Sequence, residues 1–90
     1  MTFDARRPWT LGPRVALRPE RFGALAYHFG TRRLSFLKHP QLVRVVESLA
    51  DHDSAASAIQ AAGIPAAFYP TIAGALTALA DSGMIVPRQP

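Results

Sequence analysis

Histidines and carboxylates are the side chains here best suited to hold a metal or move protons. His28, His39 and His52 stand 11 and 13 residues apart, so no two share a helical turn as an i, i+4 ligand pair would. Asp51-His52-Asp53 groups ligand types, but it separates two helical patterns and runs into Ser54. That is the composition of a solvated interhelical turn with a cap. The sequence contains no cysteine, which removes disulfides, thiolate zinc sites, cluster ligation and a cysteine nucleophile. Gly23 and Gly30 flank an apolar run instead of opening a helix, so they make no phosphate cradle. These patterns predict a chain that is not an enzyme and carries neither cofactor nor metal.

The remaining chemistry is recognition of negative charge. The net charge of +4 is unevenly spread. Residues 1–44 hold nine basic side chains (Arg6, Arg7, Arg14, Arg18, Arg21, Arg32, Arg33, Lys38, Arg44) against Asp4 and Glu20, a balance of +7. Residues 45–90 hold Arg88 against Glu47, Asp51, Asp53 and Asp81, a balance of −3. A basic half beside an acidic half predicts an anionic partner approaching one side.

These groups must be positioned by one small domain, because 90 residues leave no room for a second. With 49% hydrophobic and 18% charged residues, the chain has the composition of a folded domain. Residues 1–13, with Pro8, Gly12 and Pro13, read as an arm with Trp9 and Leu11 as anchors; 14–87 is the folded domain. Val15-Ala16-Leu17-Arg18 is a short strand stopped by Pro19. Residues 22–29 are the next, with Leu25, Tyr27 and Phe29 on one face and Ala24, Ala26 and His28 on the other. Gly30-Thr31 marks a turn, and 32–37 returns as a third strand with Leu34 and Phe36 on one side. The reading is a three-stranded antiparallel meander.

Pro40 opens a helix striped by Leu42, Val45, Val46 and Leu49. Asp53 or Ser54 caps a second, Ala55 to Ala62, which Gly63 ends. A third runs from Pro70 to Ser82, striped by Ile72, Leu76 and Leu79, and Met84-Ile85-Val86 leaves as an extended tail. The fold class is α+β, a winged helix-turn-helix arrangement. Arg6-Arg7 is followed by no apolar run, and no stretch is long and apolar enough for a membrane span, so the expected setting is cytoplasmic with no membrane partner.

Winged helices often read DNA, but the second and third helices contain no Arg, Lys or Asn, and Gln60 is their only base-reading amide. The basic residues gather on the strands: Arg32 and Arg33 enter the third strand and Lys38 leaves it. An outer strand offers unpaired N–H and C=O groups to an added strand. An acidic, intermittently hydrophobic peptide matches that edge, with the third helix as the facing wall. In the other view, Leu34, Phe36, Ile72 and Leu79 are plain core and the edge arginines only prevent aggregation. A proline at Ser35 tests strand addition if the Ser35 N–H faces the guest.

Pro8-Trp9-Thr10-Leu11, the stretch VALRPERFGALAYHFGTRRLSFLK (15–38) and the closing LTALADSGMIV (76–86) resemble the mycofactocin precursor-peptide chaperones, a branch of the PqqD-like recognition elements for ribosomally made, modified peptides (RiPP recognition elements). The resemblance spans residues 8–87. It implies three strands plus three helices without catalytic activity. It implies that the chain binds the leader of a short, acid-rich precursor peptide and presents it to a radical S-adenosylmethionine maturase. The leader adds to the third strand in a cleft against the third helix. Carried onto this chain, the peptide-binding residues are Arg32, Arg33, Leu34, Ser35, Phe36 and Leu37, with Ile72, Ala75, Leu76 and Leu79 on the helix. Lys38-His39-Pro40 departs from the small polar cap that broader relatives place after this strand. Two other readings stand beside this one: a small DNA-binding winged helix, and an interface domain docked permanently on a larger enzyme.

Overall fold

The fold is known from a computed structural model that describes residues 2–88; Met1, the start of the expected arm, lies outside them. The elements in chain order are β1 (Trp9–Leu11), β2 (Val15–Glu20), β3 (Gly23–His28), β4 (Leu34–Leu37), α1 (Pro40–Ser48), α2 (Ala55–Ala61), α3 (Tyr69–Asp81) and β5 (Ile85–Pro87). Single 3-10 turns follow α1 and precede α3. The class is α+β. Strands β2, β3 and β4 form the antiparallel meander in that order, and β1 pairs with β5 in a separate two-stranded ribbon.

Strand β2 does not stop at Pro19; it runs on to Glu20, with Pro19 opposite Ala24. The reason lies in the ladder. Phe29 N–H donates to the Arg14 carbonyl, and antiparallel hydrogen-bonded pairs alternate. Counting back, Pro19 falls in a non-hydrogen-bonded pair, so its missing N–H costs no ladder bond. The β3–β4 turn is longer than Gly30-Thr31 alone. Gly30 and Thr31 N–H both donate to His28 Nδ1, Arg32 N–H donates to the His28 carbonyl, and Arg32 takes a φ of 62°. The side chain of His28 thus caps the hairpin and delays β4 to Leu34.

One face of the meander is inside. Ala24 and Ala26 of β3 and Leu37 of β4 are buried, and their small or slender side chains let α1 pack directly on β3. Leu42, Val45 and Val46 of α1 are buried there, with Leu49 just beyond. Helix α1 starts at Pro40 with His39 extended before it and no side-chain cap, because proline removes one N–H that would need capping. Ser54, not Asp53, caps α2, accepting from Ser57 N–H. Gly23 is required where β2 turns into β3: its φ is 150°, and a Cβ there would overlap the Leu37 carbonyl oxygen.

The arm is folded onto the body. Trp9 is 2% exposed, packs against Phe3 with the rings tilted at a centroid distance of 5.1 Å, and donates its indole N–H to the Asp4 carbonyl. Ala55 and Ala56 N–H donate to the Arg7 and Ala5 carbonyls, so the arm satisfies the open amides at the start of α2. The closing tail is the other half of the ribbon: Thr10 pairs with Val86 and Leu11 with Ile85. Trp9→Ala is expected to destabilise the fold by about 3–5 kcal/mol, the usual cost of emptying a buried indole site. Urea unfolding measures it; an effect below about 1 kcal/mol would show that the arm is not structural.

Candidate functional site

Strand β4 is hydrogen-bonded on one side only. It pairs with β3 through Ala24↔Leu37, Leu25↔Phe36, Ala26↔Ser35 and Tyr27↔Leu34, and among the described residues no strand lies beyond it. His28 N–H donates to the Arg33 carbonyl, which makes that pair hydrogen-bonded. Alternation then turns the N–H and C=O of Ser35 and Leu37 toward β3, and those of Leu34 and Phe36 outward. The nearness of Leu37 O to Gly23 agrees with this phase. The Ser35 N–H therefore faces the wrong way for a proline test of the open edge. The opposite edge, on β2, is blunted by Pro19, whereas β4 contains no proline.

Beyond the open edge lies a cleft of about 320 Å³, lined by Leu34, Ser35 and Phe36 on one side and by Ala75, Ala78 and Leu79 of α3 and Ser82 just after it on the other, with Leu42 of α1 at its base. The sequence-derived helix residues divide between two faces. Ala75 and Leu79 line the cleft, whereas Ile72 and Leu76 are fully buried and support it from beneath. Ala78 and Ser82 belong to the lining but not to the residues singled out from sequence. Positions 75, 78, 79 and 82 follow helical spacing, so a stripe of small residues was visible beside the apolar one. The larger, branched side chains are drawn into the core, and the small ones leave the space.

Alternation places Leu37 in the core and turns the side chains of Leu34 and Phe36 to the sheet's other face, where they are 55% and 60% exposed. They are not core residues. Arg32 and Arg33 are exposed in the hairpin that leads into β4. Arg18 is committed to Glu20 at 2.9 Å, and Arg6 to Asp4, whose carboxyl is lowered from its ordinary range by the Arg6 side-chain hydrogen bond first. Arg44 lines a different, open hollow with Glu47, Asp51 and His52. Among the described residues no three metal-ligating side chains come together, and no helix is long and apolar enough to cross a membrane.

This edge offers free main-chain groups to an extended chain, beside a cleft of apolar and small side chains. In the free protein, the Ser35 and Leu37 amides are expected to exchange with solvent at least about tenfold more slowly than those of Leu34 and Phe36. Hydrogen exchange followed by NMR reads this directly, and the inverse pattern would mean that the ladder has the other phase.

The chain matches the model of the peptide chaperone MftB family over residues 8–86. It is 52% identical over 87 residues to a peptide chaperone MftB of Mycobacterium tuberculosis (strain ATCC 25618 / H37Rv), covering 97% of this chain and 80% of the relative. To the peptide chaperone MftB of Mycolicibacterium smegmatis (strain ATCC 700084 / mc(2)155) it is 52% identical over 90 residues, covering all of this chain and 88% of the relative. No solved structure matches it.

Proposed function

The chain belongs to the MftB peptide chaperone family, and from that premise we propose that it binds the leader of a mycofactocin-type precursor peptide by strand addition to β4. It is a non-catalytic peptide chaperone. The observation that carries the binding mode is the open β4 edge lying directly beside an apolar cleft. The guest strand pairs with the outward N–H and C=O groups of Leu34 and Phe36. Its alternate side chains enter between β4 and Ala75, Ala78 and Leu79. Arg32 and Arg33 at the hairpin draw in its carboxylates; Leu37, Ile72 and Leu76 hold the edge and wall in place from the core.

Magnitudes separate the roles of edge and cleft. A net hydrogen bond contributes about 0.5–1.5 kcal/mol, and ordering each guest residue costs about 1–2 kcal/mol. The edge bonds alone therefore roughly cancel the ordering they require. Micromolar affinity needs about 8 kcal/mol. The surplus must come from apolar side chains in the cleft, at about 1.5–3 kcal/mol for each one fully buried. Register comes from the edge, and affinity from the cleft.

The loaded chaperone presents the leader to a radical S-adenosylmethionine maturase, in the cytoplasm where its ribosomally made guest appears. In this reading the recognition domain is 14–87 and the arm 1–13 braces it. Exposed Arg–carboxylate pairs add little affinity, about 0–1 kcal/mol each, but speed encounter. Raising salt is thus expected to slow association more than it hastens dissociation.

Calorimetry with the leader alone, the remaining core segment alone and a duplex DNA tests the reading: one-to-one binding to the leader only is expected. Phe36→Pro removes an outward N–H and leaves the ladder whole, and Ala78→Trp fills the cleft from an exposed position. Each is expected to weaken leader binding by at least about tenfold with the fold intact by circular dichroism. Full affinity in both folded variants would overturn strand addition at β4.

A further inference from the structure

The face of the meander turned away from the core is apolar, and no element among the described residues covers it. Four of the five exposed large hydrophobic side chains among the described residues, Phe22, Phe29, Leu34 and Phe36, sit on it or at its ends. Phe22 meets Phe36 edge-on at 5.7 Å, and Tyr27 meets Phe29 in the same way at 5.2 Å. Between them Ala16 lies across from Tyr27, and Tyr27 across from Leu34. The small alanine leaves a hollow of about 300 Å³, lined by Ala16, Arg18, Leu25, Tyr27 and Leu34. A folded monomer rarely leaves so contiguous an apolar surface without a use.

The border of this face is cationic. Arg21 and Lys38 stand at one end of the meander, and Arg14, Arg32 and Arg33 at the other. The one carboxylate on these strands, Glu20, is already engaged by Arg18. A second copy of the chain laid face to face would bring arginines against arginines, so self-association is disfavoured. A lipid surface is the lesser fit, because a membrane takes side chains that project into it, whereas the centre here is concave. The complement is a rigid protein surface with an apolar projection ringed by carboxylates.

We propose that the outer sheet face is a protein-docking surface for such an acidic partner, distinct from the peptide cleft though built on the same strands. Resting on the reading given above, that partner is the radical S-adenosylmethionine maturase. The arrangement lets the chaperone hold its guest along the β4 edge and the enzyme across the sheet.

Two variants of the full chain test this. Ala16→Glu places a carboxylate in the hollow, two strands from the β4 edge. Phe29→Asp alters a side chain that is 56% exposed, so it cannot fail through lost core packing. The maturase, the leader peptide and vesicles of phosphatidylcholine with phosphatidylserine are the probes, with sedimentation to read oligomeric state. Both variants are expected to lose at least about tenfold in maturase affinity while holding leader affinity within about threefold. Ala78→Trp, which fills the cleft from the α3 wall and lies off the outer face, is expected to do the reverse, so failure of the cleft reading and failure of this one are distinguishable. The proposal is overturned if the wild-type chain does not bind the maturase or if both variants bind it as the wild type does. It is equally overturned if the face proves to mediate vesicle binding or dimerisation with maturase affinity unchanged.

Discussion

One row of backbone groups, the outward N–H and C=O of Leu34 and Phe36, has no strand partner among the described residues. A sheet edge of this kind is a liability that proteins usually cover or blunt. Here other open groups are blunted or engaged. Pro19 interrupts the outward row on β2; the arm supplies carbonyls to the first amides of α2; and β1 zips with β5. Of the meander's two edges, the one without a proline runs along a cleft. An uninterrupted strand edge beside an apolar cleft selects where a guest chain can add.

The cleft exists because α3 is two-faced in size as well as in polarity. Ile72 and Leu76 fill the core completely, and Ala75, Ala78 and Ser82 stand beside them toward β4. A bulky residue at any of those three positions would close the gap and convert the edge into a covered one. The same economy of side-chain size governs β3, where Ala24 and Ala26 face inward and α1 comes close. Small residues thus set two distances, one closed for stability and one open for binding. Charge sits on neither surface; it is carried by the hairpin and strand ends, where it can guide a guest without being desolvated.

Much of this architecture was legible in the sequence. Period-two alternation gave the meander, and Pro40, Ser54, Gly63 and Gly83 punctuated the helices. Where the sequence misled, backbone bonding was the cause. Pro19 reads as a stop, yet ladder phase makes it harmless; and the hairpin is lengthened by the His28 ring accepting two amides, which spacing does not reveal. The arm's anchors Trp9 and Leu11 were legible, but its pairing with the tail was missed because β1 and β5 are three residues each and find each other only across the whole chain. For the site, the strand was legible and the wall only in part. Hydropathy marked Ile72 and Leu76, which the core claims, and passed over Ala78 and Ser82, whose smallness makes the space.

The most direct test of strand addition is the geometry of the bound state. Isotope-filtered NMR on the labelled chain with unlabelled leader peptide reads contacts between the two backbones. Cross-strand nuclear Overhauser contacts from the leader to Leu34 and Phe36, with the Ser35 pairing to Ala26 unchanged, are the predicted result. Contacts confined to β2, or to the outer sheet face alone, would contradict it.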